Sequence, residues 1–218
     1  MFSRFVDPSY WKAILLALPG MLIGLVFHEF SHAWMANKMG DPTPREFGRL
    51  TLNPLRHLDI IGTLALVFLR FGWAKPVPIN PNNFRNPRRD IILVSLAGPG
   101  SNLILAVFFA LLFRLLSYLI PIDTPLVALF KGIVGMTVLY NFLLAFFNII
   151  PIPPLDGSQI LFSLLPSRLS NALPWLQRYG FIILLLLLAF GVLWPVIGFP
   201  SVLFTTLIAG PEALLGGI

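Results

Sequence analysis

Long apolar runs constrain this chain more than any other feature. One starts at Ala13 and continues past His28 to about Met35, and three more cover about 91–120, 126–150 and 179–200. A hydrocarbon core about 30 Å thick takes about 20 apolar residues per helical span, so every one of these runs is long enough to cross a bilayer. Only 11% of the residues are charged, where a soluble domain carries about 25%. A soluble enzyme, a nucleic-acid binder and a disordered chain are thereby excluded. The expected fold is an all-α polytopic membrane protein with about four to six transmembrane helices and no room for a separate soluble domain.

The connections carry the polar residues. The first span is read at 11–37 and is retained, since a signal peptide would have a shorter apolar region and a small-residue cleavage site. Residues 38–59 are rich in Pro, Gly and charge, which is loop chemistry, with a short strand expected at 47–52. The segment 60–71, IIGTLALVFLRF, is too short to span comfortably, so it is either re-entrant or a thin span that starts further back. The proline-rich stretch 72–90 cannot be one helix, because each proline removes a donor and clashes with the preceding turn. Segments 38–59 and 70–90 hold nine Lys or Arg and 156–178 holds two, against one in 120–131 and none in the tail. Basic residues favour cytoplasmic loops, so 38–90 and 151–178 are expected inside, and the N-terminus, 121–125 and the tail outside.

Within the first span lies FHEFSHAW. Positions i and i+4 share a helical face, so His28 and His32 can reach one metal ion while Glu29 projects beside them. This is the H-E-x-x-H arrangement, in which two imidazoles bind zinc and the Glu polarises the attacking water. A carboxylate at the centre of a span costs at least about 2.5 kcal/mol, so Glu29 needs a function or a partner. The plainer alternative, histidines that only tie helices together by hydrogen bonds, would not require this spacing.

Two histidines leave a catalytic zinc site incomplete, since it takes a third protein ligand and an open position. With no cysteine in the chain, that ligand must be His, Asp or Glu. Asp156 stands apart from the other acids: it follows the 126–150 run in NIIPIPPLDGSQ, where Pro151, Pro153 and Pro154 stop the helix and Gly157 permits a sharp turn. Taken alone, the segment would read as an ordinary Pro-Gly turn.

His28-Glu29-x-x-His32 followed by Asn148-x-x-Pro151-x-Pro153-x-Leu155-Asp156-Gly157 resembles the site-2 protease family of intramembrane zinc metalloproteases. NPLRHLDIIGT at 53–63, FGWAKPVPIN at 71–80 and AGPGSN at 97–102 extend the likeness to its compact bacterial branch, without the PDZ or CBS domains that many members carry. The resemblance covers about residues 20–160. It implies a single transmembrane metalloprotease domain over 1–218, one Zn2+ held by His28, His32 and Asp156, and Glu29 as general base acting on zinc-activated water. It places Asn148 beside the substrate or the developing oxyanion. His57 and Asn102 are candidates for partners of the metal ligands, since a metal-bound imidazole needs an outer hydrogen bond.

The expected activity is hydrolysis of peptide bonds in or near transmembrane or signal-peptide-like segments of other membrane proteins, at a bacterial plasma membrane and with the site toward the cytoplasm. The expected partners are that substrate and the lipid bilayer, with no nucleic acid. The competing reading is a membrane metal-ion transporter or a non-proteolytic zinc-binding protein. A transporter usually has inverted repeats or several broken helices at midplane, and the sequence holds no internal repeat.

Overall fold

A computed structural model describes residues 8–69, 72–121, 124–166 and 173–215. Ile122 and Asp123 of the connection after the second apolar run, part of the 156–178 polar stretch, the last residues of 60–71 and the end of the tail lie outside the described residues. The chain folds into α1 (Pro8–Met39), α2 (Thr43–Glu46), α3 (Ile60–Leu69), α4 (Pro87–Leu119), α5 (Pro125–Asn148), α6 (Asp156–Leu164), α7 (Leu173–Ala189), α8 (Trp194–Ala209) and α9 (Glu212–Leu215).

Helices α1, α4 and α5 are the long apolar ones, and each is long enough to cross a membrane. Lipid offers their backbones no partners and gives little hydrophobic reason for helices to associate, so small residues must let the backbones approach. Two glycines of α1 do this. A Cβ at Gly20 would lie 2.5 Å from Thr137 Cα, and one at Gly24 would lie 2.8 Å from Asn141 Oδ1. Farther along, Ala106, Ala110 and Phe113 of α4 pack with Val134, Val138 and Phe142 of α5 and with Ala209 and Ala213. Asp90 accepts the Asn86 N–H at the start of α4. Arg114, deep in an apolar run, donates to the carbonyls of Ile208 and Leu207 and so satisfies the end of α8.

Two expectations change, and one left open is narrowed. The run 179–200 is not one straight helix: α7 and α8 meet at a 64° bend. Gly191 there has φ +69°, in the left-handed region that favours glycine, and Pro195 opens the next helix. At 17 and 16 residues, neither half reaches the span length of about 20. The described residues thus hold three helices able to cross, or four with the bent pair counted as one span, at the lower edge of the expected number.

The strand at 47–52 does not form. Phe47, Gly48 and Arg49 donate back to Thr43, Arg45 and Pro44, and Gly48 turns the chain at φ +66°, so the donors a ladder would use are spent locally. Among the described residues, the β pairing is a single antiparallel bridge between Leu58 and Ala74. The choice left open concerns 60–71, whose described part is the ten-residue α3. It rises only about 15 Å, half the hydrocarbon thickness, and so cannot cross by itself.

Candidate active site and metal centre

The site is built where α1, α4 and the start of α6 converge. Residues 28 and 32 fall one turn apart on α1, and both side chains are buried. Their Nε2 atoms lie 3.0 Å apart. Asp156 arrives from the far side as the first residue of α6, after the prolines have ended α5. Its Oδ2 lies 3.1 Å from His28 Nε2 and 3.3 Å from His32 Nε2. Two glycines make this closeness attainable. A Cβ at Gly157 would sit 2.0 Å from the Ile149 carbonyl oxygen, so only glycine lets the first turn of α6 fold back on the end of α5. The sharp turn expected at Gly157 thus rests on close approach, and its φ is not positive. A Cβ at Gly98 of α4 would lie 2.4 Å from His32 Nε2.

Hydrogen bonds on the other ring nitrogens fix what the three atoms offer. His32 Nδ1 lies 2.8 Å from the Val94 carbonyl, which can only accept, so Nδ1 carries the proton. His28 Nδ1 lies 2.7 Å from Asn102 Oδ1, and the Asn102 amide nitrogen faces the Gly24 carbonyl at 2.9 Å, so the oxygen end is toward His28. With both neutral rings protonated at Nδ1, two bare Nε2 lone pairs and a carboxylate oxygen face one another, and Asp156 Oδ2 is buried without a hydrogen-bond partner. Such a triangle is mutually repulsive unless a proton or a metal ion sits among the three. Zinc bonds of 2.0–2.1 Å in a tetrahedron put ligand atoms about 3.3 Å apart, close to the separations seen. The donor set of two imidazoles and one carboxylate therefore fits zinc, and it leaves a fourth position open. His28, His32 and Asp156 are the group of acids and histidines, among the described residues, with geometry for a metal.

A cavity of about 690 Å³ adjoins the three atoms, and Glu29 and Asn148 both line it. Glu29 is half-buried. Asn148 donates one N–H to the Leu144 carbonyl at 2.9 Å, so one of its two amide donors is already committed. One wall is the extended segment through Trp73, Val77 and Ile79, and Phe181 and Leu184 of α7 also line the cavity. Trp73 and Phe181 meet edge to face with centroids 6.4 Å apart.

His57, a candidate partner of the metal ligands, is not brought to them. It is fully buried, yet its Nε2 donates to the Thr51 carbonyl at 2.7 Å, and its own carbonyl accepts from Lys75 at 2.8 Å. Its place is under the extended wall, which it braces together with Arg49. Arg85, Arg88 and Arg89 are exposed around the start of α4.

Two polar residues escaped the sequence reading. Asn141 is fully buried and bonds to Asn102; an asparagine inside an apolar run was the available signal. Asp41, also fully buried, accepts from Thr43, Asn80 and Asn83 and ties the extended wall to the end of α1. Burial alone would raise its pKa, but the hydrogen bonds from Thr43, Asn83 and Asn80 outweigh that and hold the carboxyl below its ordinary value. No signal short of the fold links residues 41, 80 and 83.

Comparison with known proteins agrees with this geometry. YwhC of Bacillus subtilis, described as a candidate zinc metalloprotease, is 39% identical over 182 residues, which cover 81% of this chain and 83% of that one. Rip2 of Mycolicibacterium smegmatis, described in the same terms, is 32% identical over 185 residues, covering 83% and 69%. Rip2 of Mycobacterium tuberculosis is 31% identical over 185 residues, covering 82% and 68%. No solved structure matches the chain. The family model for peptidase family M50 matches residues 16–189. With that match over most of its length, the chain belongs to peptidase family M50, the site-2 protease family, and is a zinc metalloprotease integral to a membrane.

Proposed function

We propose that this protein cleaves peptide bonds in or beside membrane-spanning segments of other membrane proteins, with His28, His32 and Asp156 as zinc ligands and Glu29 as general base. The observation that carries the reading is the triangle of His28 Nε2, His32 Nε2 and Asp156 Oδ2, closed to 3.0–3.3 Å and opening on the cavity that Glu29 lines. Zinc held there supplies Lewis acidity, polarising the scissile carbonyl and making water nucleophilic at neutral pH. Glu29 adjoins His28 on α1 and takes the proton from the attacking water, then delivers it to the leaving amine as the C–N bond breaks. Asn148, with one amide N–H committed, offers the other to the substrate carbonyl or the developing oxyanion.

A helical substrate keeps its carbonyls bonded internally, so it must be unwound to react. The extended wall suits an unwound chain: Val77 and Ile79 line the cavity, and their backbone groups make no hydrogen bond among the described residues. A substrate strand laid along them would gain main-chain bonds in place of its helical ones. The basic residues of 38–90 and 151–178 support a cytoplasmic orientation of this face, and the family likeness supports a bacterial-type plasma membrane.

The test is zinc content per chain and cleavage of an unfolded substrate in detergent, measured on the same samples of wild type, Glu29→Gln and Asp156→Ala. About one zinc in wild type and Glu29→Gln, little in Asp156→Ala, and cleavage by wild type alone is the expected result. Full zinc in Asp156→Ala would remove Asp156 from the ligand set. Zinc-loaded wild type that cleaves nothing, with weaker zinc in Glu29→Gln, would favour a transport role.

A further inference from the structure

Behind the two histidines, a line of buried side chains runs across all three long helices. His28 Nδ1 donates to Asn102 Oδ1 at 2.7 Å. The Asn102 amide nitrogen donates to the Gly24 carbonyl at 2.9 Å and to Asn141 Oδ1 at 3.0 Å. The Asn141 amide nitrogen donates to the Thr137 carbonyl at 2.8 Å and to the Gly20 carbonyl at 3.5 Å. Both asparagines are fully buried, so no water competes for these groups.

The line has one allowed direction. Backbone carbonyls only accept, so the nitrogen end of Asn141 must face Thr137 and Gly20, and its oxygen must face Asn102. Asn102 then meets two acceptors, the Gly24 carbonyl and the Asn141 oxygen, which take both its N–H bonds. Its oxygen is left for His28, and a ring nitrogen opposite an oxygen must donate. His28 therefore carries its proton on Nδ1 and presents an unprotonated Nε2. Turning either amide around would set acceptor against acceptor in a dry interior, which is the penalty that keeps the direction fixed. The glycines belong to the same device, because a Cβ at Gly24 would come within 2.8 Å of Asn141 Oδ1 and 3.3 Å of Asn102 Nδ2.

We propose that Asn141 is a positioning residue for the metal site: acting through Asn102, it fixes the amide orientation that holds His28 in the Nδ1-protonated tautomer with Nε2 free for the metal. The inference rests on His28 being a zinc ligand. Asn141 touches neither His28 nor the cavity, and its effect is transmitted by polarity, from α5 backbone through α4 to α1.

The test is zinc affinity by chelator competition on the full chain in detergent, for wild type, His28→Ala, Asn102→Leu, Asn141→Leu and the double Asn102→Leu/Asn141→Leu. Loss of a hydrogen-bond partner behind a metal ligand weakens metal binding by about 10- to 100-fold, and that loss is expected for Asn102→Leu. Asn141→Leu is expected to weaken zinc by about tenfold, and the double variant to bind no more weakly than Asn102→Leu alone. Asn141→Ser, too short to reach Asn102 and tolerated in packed helices, is expected to give the same loss where the leucine variant does not fold. Wild-type affinity in the Asn141 variants, with only a lower unfolding temperature of the metal-free chain, would make the residue merely structural and overturn the proposal. So would losses that multiply in the double variant, which would mean that Asn141 acts without Asn102. Undiminished zinc in His28→Ala would instead overturn the ligand assignment itself, and is thereby distinguished from failure of the relay.

Discussion

Replacing Gly98 by alanine adds one methyl group where α4 meets the histidines of α1. The new Cβ would lie 2.4 Å from His32 Nε2, 2.6 Å from His32 Cε1 and 2.7 Å from His28 Cε1. Ordinary contact begins at 3.4 Å, so α4 and α1 must part, or the rings must tilt, by about 1 Å. Overfilling a packed interior in this way costs about 1–3 kcal/mol. The crowded atoms are the ones proposed to hold zinc, so the cost falls on the metal-loaded geometry. Carried wholly by binding, it weakens zinc about 5- to 140-fold. Gly100, two residues on in the same helix, is the control: a Cβ there meets nothing within 4 Å. Both substitutions gain up to about 1 kcal/mol of helix propensity, so Gly100→Ala should bind zinc as wild type does and unfold no earlier. Zinc affinity by chelator competition, read beside thermal unfolding in detergent, decides the matter. Equal zinc affinity in Gly98→Ala and Gly100→Ala would refute the claim that glycine at 98 is what lets α4 close on the histidines.

Gly157→Ala should lose zinc and cleavage together, because its Cβ falls 2.0 Å from the Ile149 oxygen and the first turn of α6, with Asp156, must shift; retained zinc content would argue against this. Val77→Pro keeps the extended backbone and deletes one N–H, so cleavage should fall by about 2- to 12-fold, the worth of one hydrogen bond, with zinc content unchanged. Cleavage at the wild-type rate would remove that N–H from substrate pairing. Asp41→Asn tests the tie between α1 and the extended wall through its pH dependence. The folded-state pKa of Asp41 is lowered, so its contribution is complete above the unfolded value of about 3.9 and is lost as pH falls through the lower folded value. The stability gap between wild type and Asp41→Asn should be constant at neutral pH and close below about pH 4; a gap that widens on acidification would reverse the assigned sign.

The fold and site divide according to whether their cause is local. Three of the apolar runs became α1, α4 and α5 because run length and backbone satisfaction in lipid are properties of contiguous sequence. The fourth run divided at Gly191 and Pro195, residues that also occur inside spans, so hydropathy alone did not reveal the break. The strand at 47–52 failed because Gly48 and the bonds back to α2 used its donors first. His57 shared a motif neighbourhood with the site yet faces Thr51, since a motif records which residues occur together and not where a ring points.

By itself, the sequence determined the membrane-spanning character, the pairing of His28 with His32 and the family. Each rests on periodicity or on the order of residues along the chain, and the 3.6-residue turn places His28 and His32 together in any helix that contains them. Only the tertiary structure decided that Asp156 closes the triangle, that Asn141 stands behind Asn102, and that Asp41 anchors the wall of the cavity. Those contacts join segments that are distant along the chain, and their distances are set by how closely helices approach at Gly24, Gly98 and Gly157. Absence of a side chain matters there only once the opposing backbone or ring is in place.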